Sequence, residues 1–440
     1  MSELPSFREA MRVWARIGCL SFGGPAAQIA LMQREVVDQR HWVSDRRFLH
    51  ALNFCMLLPG PEAMQLATYL GWLMHGVRGG VAAGLFFVLP GAAVMLALSF
   101  VYAAFGNVPL IAGLFFGLKC AVLILVVEAL LRVAKRALKG AVPWALAAAA
   151  FVALFVFGVP FPAVVLVAAL IGYAVPQAFA AGGHSKPREG GPAALDAVLQ
   201  ANPGRIAAMA PLARRAGLIA LALWLWPVAI LMPIGGVFAD IAWFFSKMAV
   251  VTFGGAYAVL AYVAQEAVEH YRWLSAPEML AGLGLAETTP GPLILVLQFV
   301  GFLAGWRDSG ALGGIWGGIA GSSLTLWVTF LPCFAWIFLG APYVEKLHDM
   351  PRLKGALAGV TAAVVGVIAN LAIWFGLRVI FARVVDGPFA MTLPDLWSLQ
   401  PTALLLAVLA GVCLFRFRLG VVPVLAISAG VGLMLSLIGV

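Results

Sequence analysis

The chain has 440 residues, 63% hydrophobic and 11% charged, with a formal net charge of +9. About a quarter of an ordinary soluble domain is charged, so this composition excludes a soluble globular fold and makes lipid the expected solvent. The basic surplus lies in short loops between apolar runs, not in a stripe interleaved with aromatics; this excludes a nucleic-acid partner and marks the cytoplasmic side of a membrane protein.

In chain order, the first apolar segment, Phe7 to Val37, is interrupted by FGGP, and the second, Phe48 to Val77, by PGP. Proline removes a backbone donor and glycine permits a turn, so both helices are expected to break there. Each arm of the first segment is about 15 residues, or roughly 22 Å, against a hydrocarbon core of about 30 Å. The segments therefore read as re-entrant hairpins with their tips inside the bilayer, the alternative being kinked ordinary spans. Four plain spans follow at about 80–105, 108–133, 143–158 and 160–178, completing a first repeat over 1–178. Residues 179–215, with GGHSKPREGG, read as a flexible cytoplasmic linker, and 216–233 as a connecting span. The second repeat, 234–440, has broken segments at 241–268 and 279–306 and spans at 311–340, 355–380, 401–415 and 419–438.

The repeat rests on a fixed offset. Ser21-Phe22-Gly23-Gly24 recurs 231 residues later as Thr252-Phe253-Gly254-Gly255, and Pro59-Gly60-Pro61 as Pro290-Gly291-Pro292. Arg16 maps to Lys247, Glu35 to Glu266, Trp42 to Trp273 and Ser44 to Ser275. Beyond the PGP the offset becomes 242, taking Leu89-Pro90 to Leu331-Pro332 and Gly113/Gly117 to Gly355/Gly359; an insertion near Trp306 to Leu312 absorbs the change.

The single connecting span inverts the second half, and the loop charges agree. Arg34, Arg40, Arg46 and Arg47 lie in one loop, whereas its counterpart has Arg272 with Glu266, Glu269 and Glu278. Arg132, Lys135, Arg136 and Lys139 fall inside with the linker, as do Lys346, Arg352 and Lys354. The fold class is thus an all-α polytopic membrane protein of two inverted-topology repeats, with helices broken at FGG and PGP, the N-terminus inside and the C-terminus outside.

A broken helix in lipid exposes backbone N–H groups at the positive end of its next arm, a ready anion site. Arg16 and Lys247, matched and six residues before each FGG phenylalanine, would neutralise the anion; snorkelling to headgroups is the structural alternative. Lys119 and Glu128 share one span, with Thr361 and Asn370 at the matching positions, a polar face suited to a cavity or to an ion pair with another helix. Glu62 follows the first PGP and Glu287 precedes the second; with Glu128 they are the proton-coupling candidates. The expected anion-binding set is Arg16, Ser21, Phe22, Gly23, Gly24, Pro59, Gly60, Pro61, Lys119, Lys247, Thr252, Phe253, Gly254, Gly255, Pro290, Gly291 and Pro292. The five cysteines form no CxxC pair, and neither an HExxH nor a GxxxxGK[ST] pattern occurs, so neither a metal nor another cofactor nor a catalytic constellation is expected.

SFGGP at 21–25, LPGPEAMQLATYLGW at 58–72, Leu89-Pro90, and the second-half TFGG and TPGP together resemble the chromate ion transporter superfamily in its two-domain form, over nearly the full length. The resemblance implies a bacterial plasma-membrane carrier that exports chromate and gives chromate resistance, with sulfate as a competing or exchanged analogue. Transport of sulfate or another oxyanion is the first alternative, and an integral membrane enzyme the second. The second half departs from the pattern in having Ala256 for Pro25 and Leu293 for Glu62. A homodimer is expected only by analogy with other inverted-repeat carriers.

Overall fold

A computed structural model describes residues 4–106, 108–179, 193–253, 256–344 and 350–438. Helix α1 (Phe7–Leu20) is N-capped by Ser6, whose hydroxyl accepts the Glu9 N–H at 3.2 Å, and buries Ala10, Val13, Trp14 and Ile17 on one face. Helix α2 (Gly24–Gln33), with Pro25 in its first turn, runs into a π-helical segment at Arg34–Gln39. Helix α3 (Asp45–Cys55) precedes the PGP and α4 (Glu62–Phe105) follows it. Helix α4 is itself interrupted at His75 and Gly76, where Gly76 has φ +65°, so it comprises the second arm of the broken segment and the next span. Helices α5 (Pro109–Ala137), α6 (Ala141–Phe155) and α7 (Phe161–Ala174) complete the first repeat.

The linker is partly helical where sequence suggested only a flexible stretch. Helix α8 (Ala194–Ala201) buries Leu195 and Leu199, and α9 (Arg205–Ile234) begins ahead of the span expected at 216–233; the GGHSKPREGG stretch lies outside the described residues. The second repeat contains α10 (Val237–Val251), α11 (Ala256–Gln265), a π-helical segment (Glu266–His270), α12 (Ala276–Thr288), α13 (Val296–Asp308), α14 (Gly314–Gly340), α15 (Pro351–Ile380), α16 (Pro401–Gly411) and α17 (Val421–Leu437). An antiparallel hairpin, β1 (Val384–Asp386) and β2 (Thr392–Pro394), joins α15 to α16 and has no counterpart among the described residues of the first repeat. Helices α4, α5, α9, α14 and α15 are long and apolar enough to cross a membrane, and four shorter apolar helices accompany them.

The chain packs as two compact units, and each draws on both repeats. The first comprises Met1–Ala97, His184–Gly255 and Thr289–Asp349; the second comprises Leu98–Gly183, Ala256–Thr288 and Met350–Val440. Within the second unit the matched glycine pairs make crossed contacts. A Cβ on Gly113 or Gly117 would collide with Gly432, Ser436 or Ser428 of α17, and one on Gly355 or Gly359 with Gly172 or Ala168 of α7. The equivalent helix of each repeat thus packs against the last helix of the other, at a separation only small residues allow.

Contacts within each unit also join chain ends that the loop charges put on one side. Ala390 N–H donates to the Val156 carbonyl at 3.0 Å, linking the β1–β2 connection to the end of α6. Arg352 lies over the Tyr173 ring at 5.6 Å, and Arg47 pairs with Asp196 at 2.7 Å, both between segments assigned inside.

Candidate functional site

The first unit contains three complete chain breaks and the start of the fourth. At Ser21 (φ −80°, ψ 72°) the hydroxyl donates to the Ile17 carbonyl at 2.7 Å, and Phe22 N–H donates to Leu20 O at 3.0 Å. This is an inverse γ-turn, which ends α1 by redirecting the chain. Thr252 (φ −77°, ψ 88°) repeats it: its hydroxyl donates to Met248 O at 2.5 Å, and Phe253 N–H to Val251 O at 3.0 Å. A hydroxyl at this position in both repeats replaces a helical bond with a local one.

Each turn frees a carbonyl, and the PGP of the other repeat takes it up. Gly60 N–H donates to Thr252 O at 2.9 Å, and Gly291 N–H donates to Ser21 O at 2.8 Å. Proline has no N–H, so glycine is the single main-chain donor in each Pro-Gly-Pro, and each uses it for this crossed bond. Gly60 (φ +123°) and Gly291 (φ +95°) hold backbone conformations that L side chains rarely adopt. The joints are braced by amides: Gln28 Nε2 donates to Gly291 O at 2.6 Å, and Gln65 Nε2 to Pro59 O at 2.7 Å. A Cβ on Gly91, one residue past Pro90, would collide with the Pro290 carbonyl, so α4 passes directly against the second PGP.

The structure therefore brings Ser21 and Phe22 together with Pro290, Gly291 and Pro292, and Pro59, Gly60 and Pro61 together with Thr252 and Phe253. Gly23 and Gly24 turn the chain into α2 with φ +85° and +78°. Gly254 and Gly255 lie outside the described residues. Helices α2, α4 and α13 each start within a few residues of a break, so their positive N-terminal ends belong to this unit. Glu62 occupies the first turn of α4.

Of the matched cations, Arg16 is 58% exposed and lies 3.8 Å from the buried Glu35 carboxylate, which Arg40 also contacts. Lys247 is half-buried, with its Nζ 5.7 Å above the Phe244 ring. Lys119, Glu128 and Glu287 belong to the second unit. Lys119 Nζ lies 5.7 Å from the Phe116 ring, and Glu128 pairs with Arg132 one turn on. Glu287 is buried and accepts a short hydrogen bond from the Tyr257 hydroxyl; Arg132 interacts electrostatically with Glu128, Tyr257 and Glu287. Neither Arg132 nor Tyr257 was among the anion-binding or proton-coupling residues expected from sequence. Arg132 read as one of several loop cations, and Tyr257 lies 30 residues from the carboxylate it bonds, with no spacing signal between them.

The chain matches the family described as chromate transporter, once over residues 8–173 and again over 239–433. The two matches begin with the same offset of 231 that separates Ser21 from Thr252. A chromate transport protein of Pseudomonas aeruginosa is 33% identical over 82% of this chain and 79% of its own length. One from Cupriavidus metallidurans is 27% identical over 88% and 86%, and a probable chromate transport protein of Synechococcus elongatus 25% identical over 92% and 95%. No solved structure matches the chain.

Proposed function

Since the chain belongs to the chromate transporter family, we propose that it is a secondary transporter that carries chromate, a tetrahedral dianion, out of a bacterial cell across the plasma membrane and so gives chromate resistance. The observation that carries this reading is the crossed pair of main-chain bonds, Gly60 to Thr252 and Gly291 to Ser21. It ties the break of each repeat to the PGP of the other, and discontinuous helices meeting between two repeats are a recurring plan of carriers. Relatives with a chromate transport name covering most of the chain support the choice of anion.

In this reading the dianion is held by the N-terminal ends of α2, α4 and α13, with Lys247 and Arg16 supplying positive charge. A buried carboxylate in an apolar span is costly when charged, so Glu287, held by Tyr257 and within reach of Arg132, is the proton-coupling group, with Glu128 as its neighbour in the same network. Glu62, in the first turn after PGP, is a further coupling candidate. An inside-negative potential favours outward movement of the anion by about 2.3 kcal/mol per charge per 100 mV. Sulfate shares the shape and charge of chromate and is the expected competitor.

The test is uptake of radiolabelled chromate by inside-out vesicles, with and without excess sulfate, for the wild type and Lys247→Ala. Uptake that sulfate reduces, and that is lost in a variant still present in the membrane, supports both the carrier and its cation. A Lys247→Ala variant as active as the wild type removes Lys247 from the site. Sulfate uptake without chromate uptake assigns the carrier to the alternative anion.

A further inference from the structure

The interruption of α4 at His75 and Gly76 creates a cationic cavity separate from the breaks described above. It has a volume of about 780 Å³, and Phe7, His75, Arg78, Arg205 and Met209 line it. Arg205 donates through Nη2 to the Met74 carbonyl at 2.8 Å, capping the helical segment that ends there, while its Nε is buried without a hydrogen-bond partner. His75 Nε2 lies 2.9 Å from Pro5 O and so donates to it; Nδ1 is buried with no partner. Arg78 is exposed in the first turn of the helix that restarts after Gly76. That is the positive end of the helix dipole, where a cation is disfavoured unless an anion sits beside it. Among the described residues no acidic side chain lines the cavity.

Two guanidinium groups and a helix N-terminus line this cavity, and the chemistry they share is that of an anion site. Apolar side chains line it as well, among them Met209 and Phe7, which is 46% exposed and whose ring lies 5.6 Å from that of His75. We propose that this cavity binds a phosphate group, the tetrahedral anion that arginine recognises through paired N–H donors. The apolar lining suits a phosphate on an acyl chain, the headgroup of an anionic phospholipid; inorganic phosphate offers the same chemistry without the chain. By the loop charges the cavity faces the cytoplasmic leaflet, whose surface is anionic.

The experiment is native mass spectrometry of the full chain in neutral detergent, titrated with phosphatidylglycerol, phosphatidylcholine or inorganic phosphate. The wild type is expected to retain phosphatidylglycerol over phosphatidylcholine. Arg78→Gln is expected to bind it about tenfold more weakly, the loss of one charge-assisted contact. Displacement of the lipid by inorganic phosphate shows that the site reads the phosphate alone; retention against phosphate shows that it reads the lipid. Arg205→Lys keeps the positive charge without the paired donors and is expected to weaken binding as well. Equal phosphatidylglycerol binding by the wild type and both variants overturns the proposal. So does the absence of any preference over phosphatidylcholine together with no bound phosphate.

Discussion

At the scale of single residues, the Pro-Gly-Pro tripeptides act through what they lack. Two prolines remove their own N–H groups, and the remaining glycine donor is spent on the opposite repeat. A Cβ on Gly60 would lie 2.8 Å from Gln65 Nε2 and 2.9 Å from Cys333 Sγ, and its φ of +123° adds backbone strain. Gly60→Ala is therefore expected to cost about 1–3 kcal/mol and to reduce transport sharply. Thermal unfolding of the detergent-purified variant, alongside vesicle uptake, separates the two effects. Wild-type stability in this variant would contradict the strained joint. Glu287→Gln preserves an acceptor for the Tyr257 hydroxyl but removes the proton-carrying group. The variant is expected to exchange chromate for chromate while losing chromate-driven proton movement, read with a pH-sensitive dye in proteoliposomes. Unchanged proton movement would exclude Glu287 from coupling.

At the scale of elements, the two repeats solve one capping problem differently. In the second repeat Ser275 N–H donates to Glu278 Oε2 at 2.7 Å, a capping box within the chain. The equivalent position in the first repeat is Arg47, which cannot accept. There Ser44 N–H donates to Asp196 Oδ2 at 3.1 Å, and Arg47 Nε pairs with Asp196 Oδ1 at 2.7 Å. Ala194 and Leu195 donate to His41 O and Trp42 O at 3.0 and 2.9 Å, fastening the linker helix to the same loop. The linker thus supplies the carboxylate that the first repeat lacks. Asp196→Ala is expected to destabilise the protein by about 1 kcal/mol, and Arg47→Glu in that background to restore much of the loss by rebuilding the local box. A thermal-unfolding double-mutant cycle checks it; additive losses would show that no cap had been exchanged.

These elements also show what the sequence could reveal. The helix breaks, their repetition and most spans were legible because glycine, proline and apolar length act locally. The bonding partners of the breaks were not, since a main-chain carbonyl accepts from any donor that tertiary structure brings near. The helix in the linker was missed because its neighbours GGHSKPREGG read as a flexible tract, while its stability comes from docking on residues 41–47. Similarly, Arg132 and Tyr257 join Glu287 only after three separate helices pack.

At the scale of the whole molecule, sequence repeats and compact units are different divisions of the chain. Every unit takes helices from both repeats, and the crossed bonds in one unit have a parallel in the crossed glycine contacts of the other. Neither repeat can bury its own broken helices alone. Residues 1–215 and 216–440 expressed separately are expected to be degraded, and together to assemble, as membrane abundance by immunoblot would show. A stable, protease-resistant single half would contradict the interlocked arrangement.

The most direct test of the central claim uses purified protein in liposomes loaded and diluted to set a chromate gradient and a membrane potential. Wild-type protein is expected to move radiolabelled chromate down the combined gradient, and Gly291→Ala, still folded, to move little, because the Cβ strains the turn that meets Ser21. Absence of chromate movement by the wild type under every gradient would contradict chromate transport, and full activity in Gly291→Ala would contradict the crossed breaks as its seat.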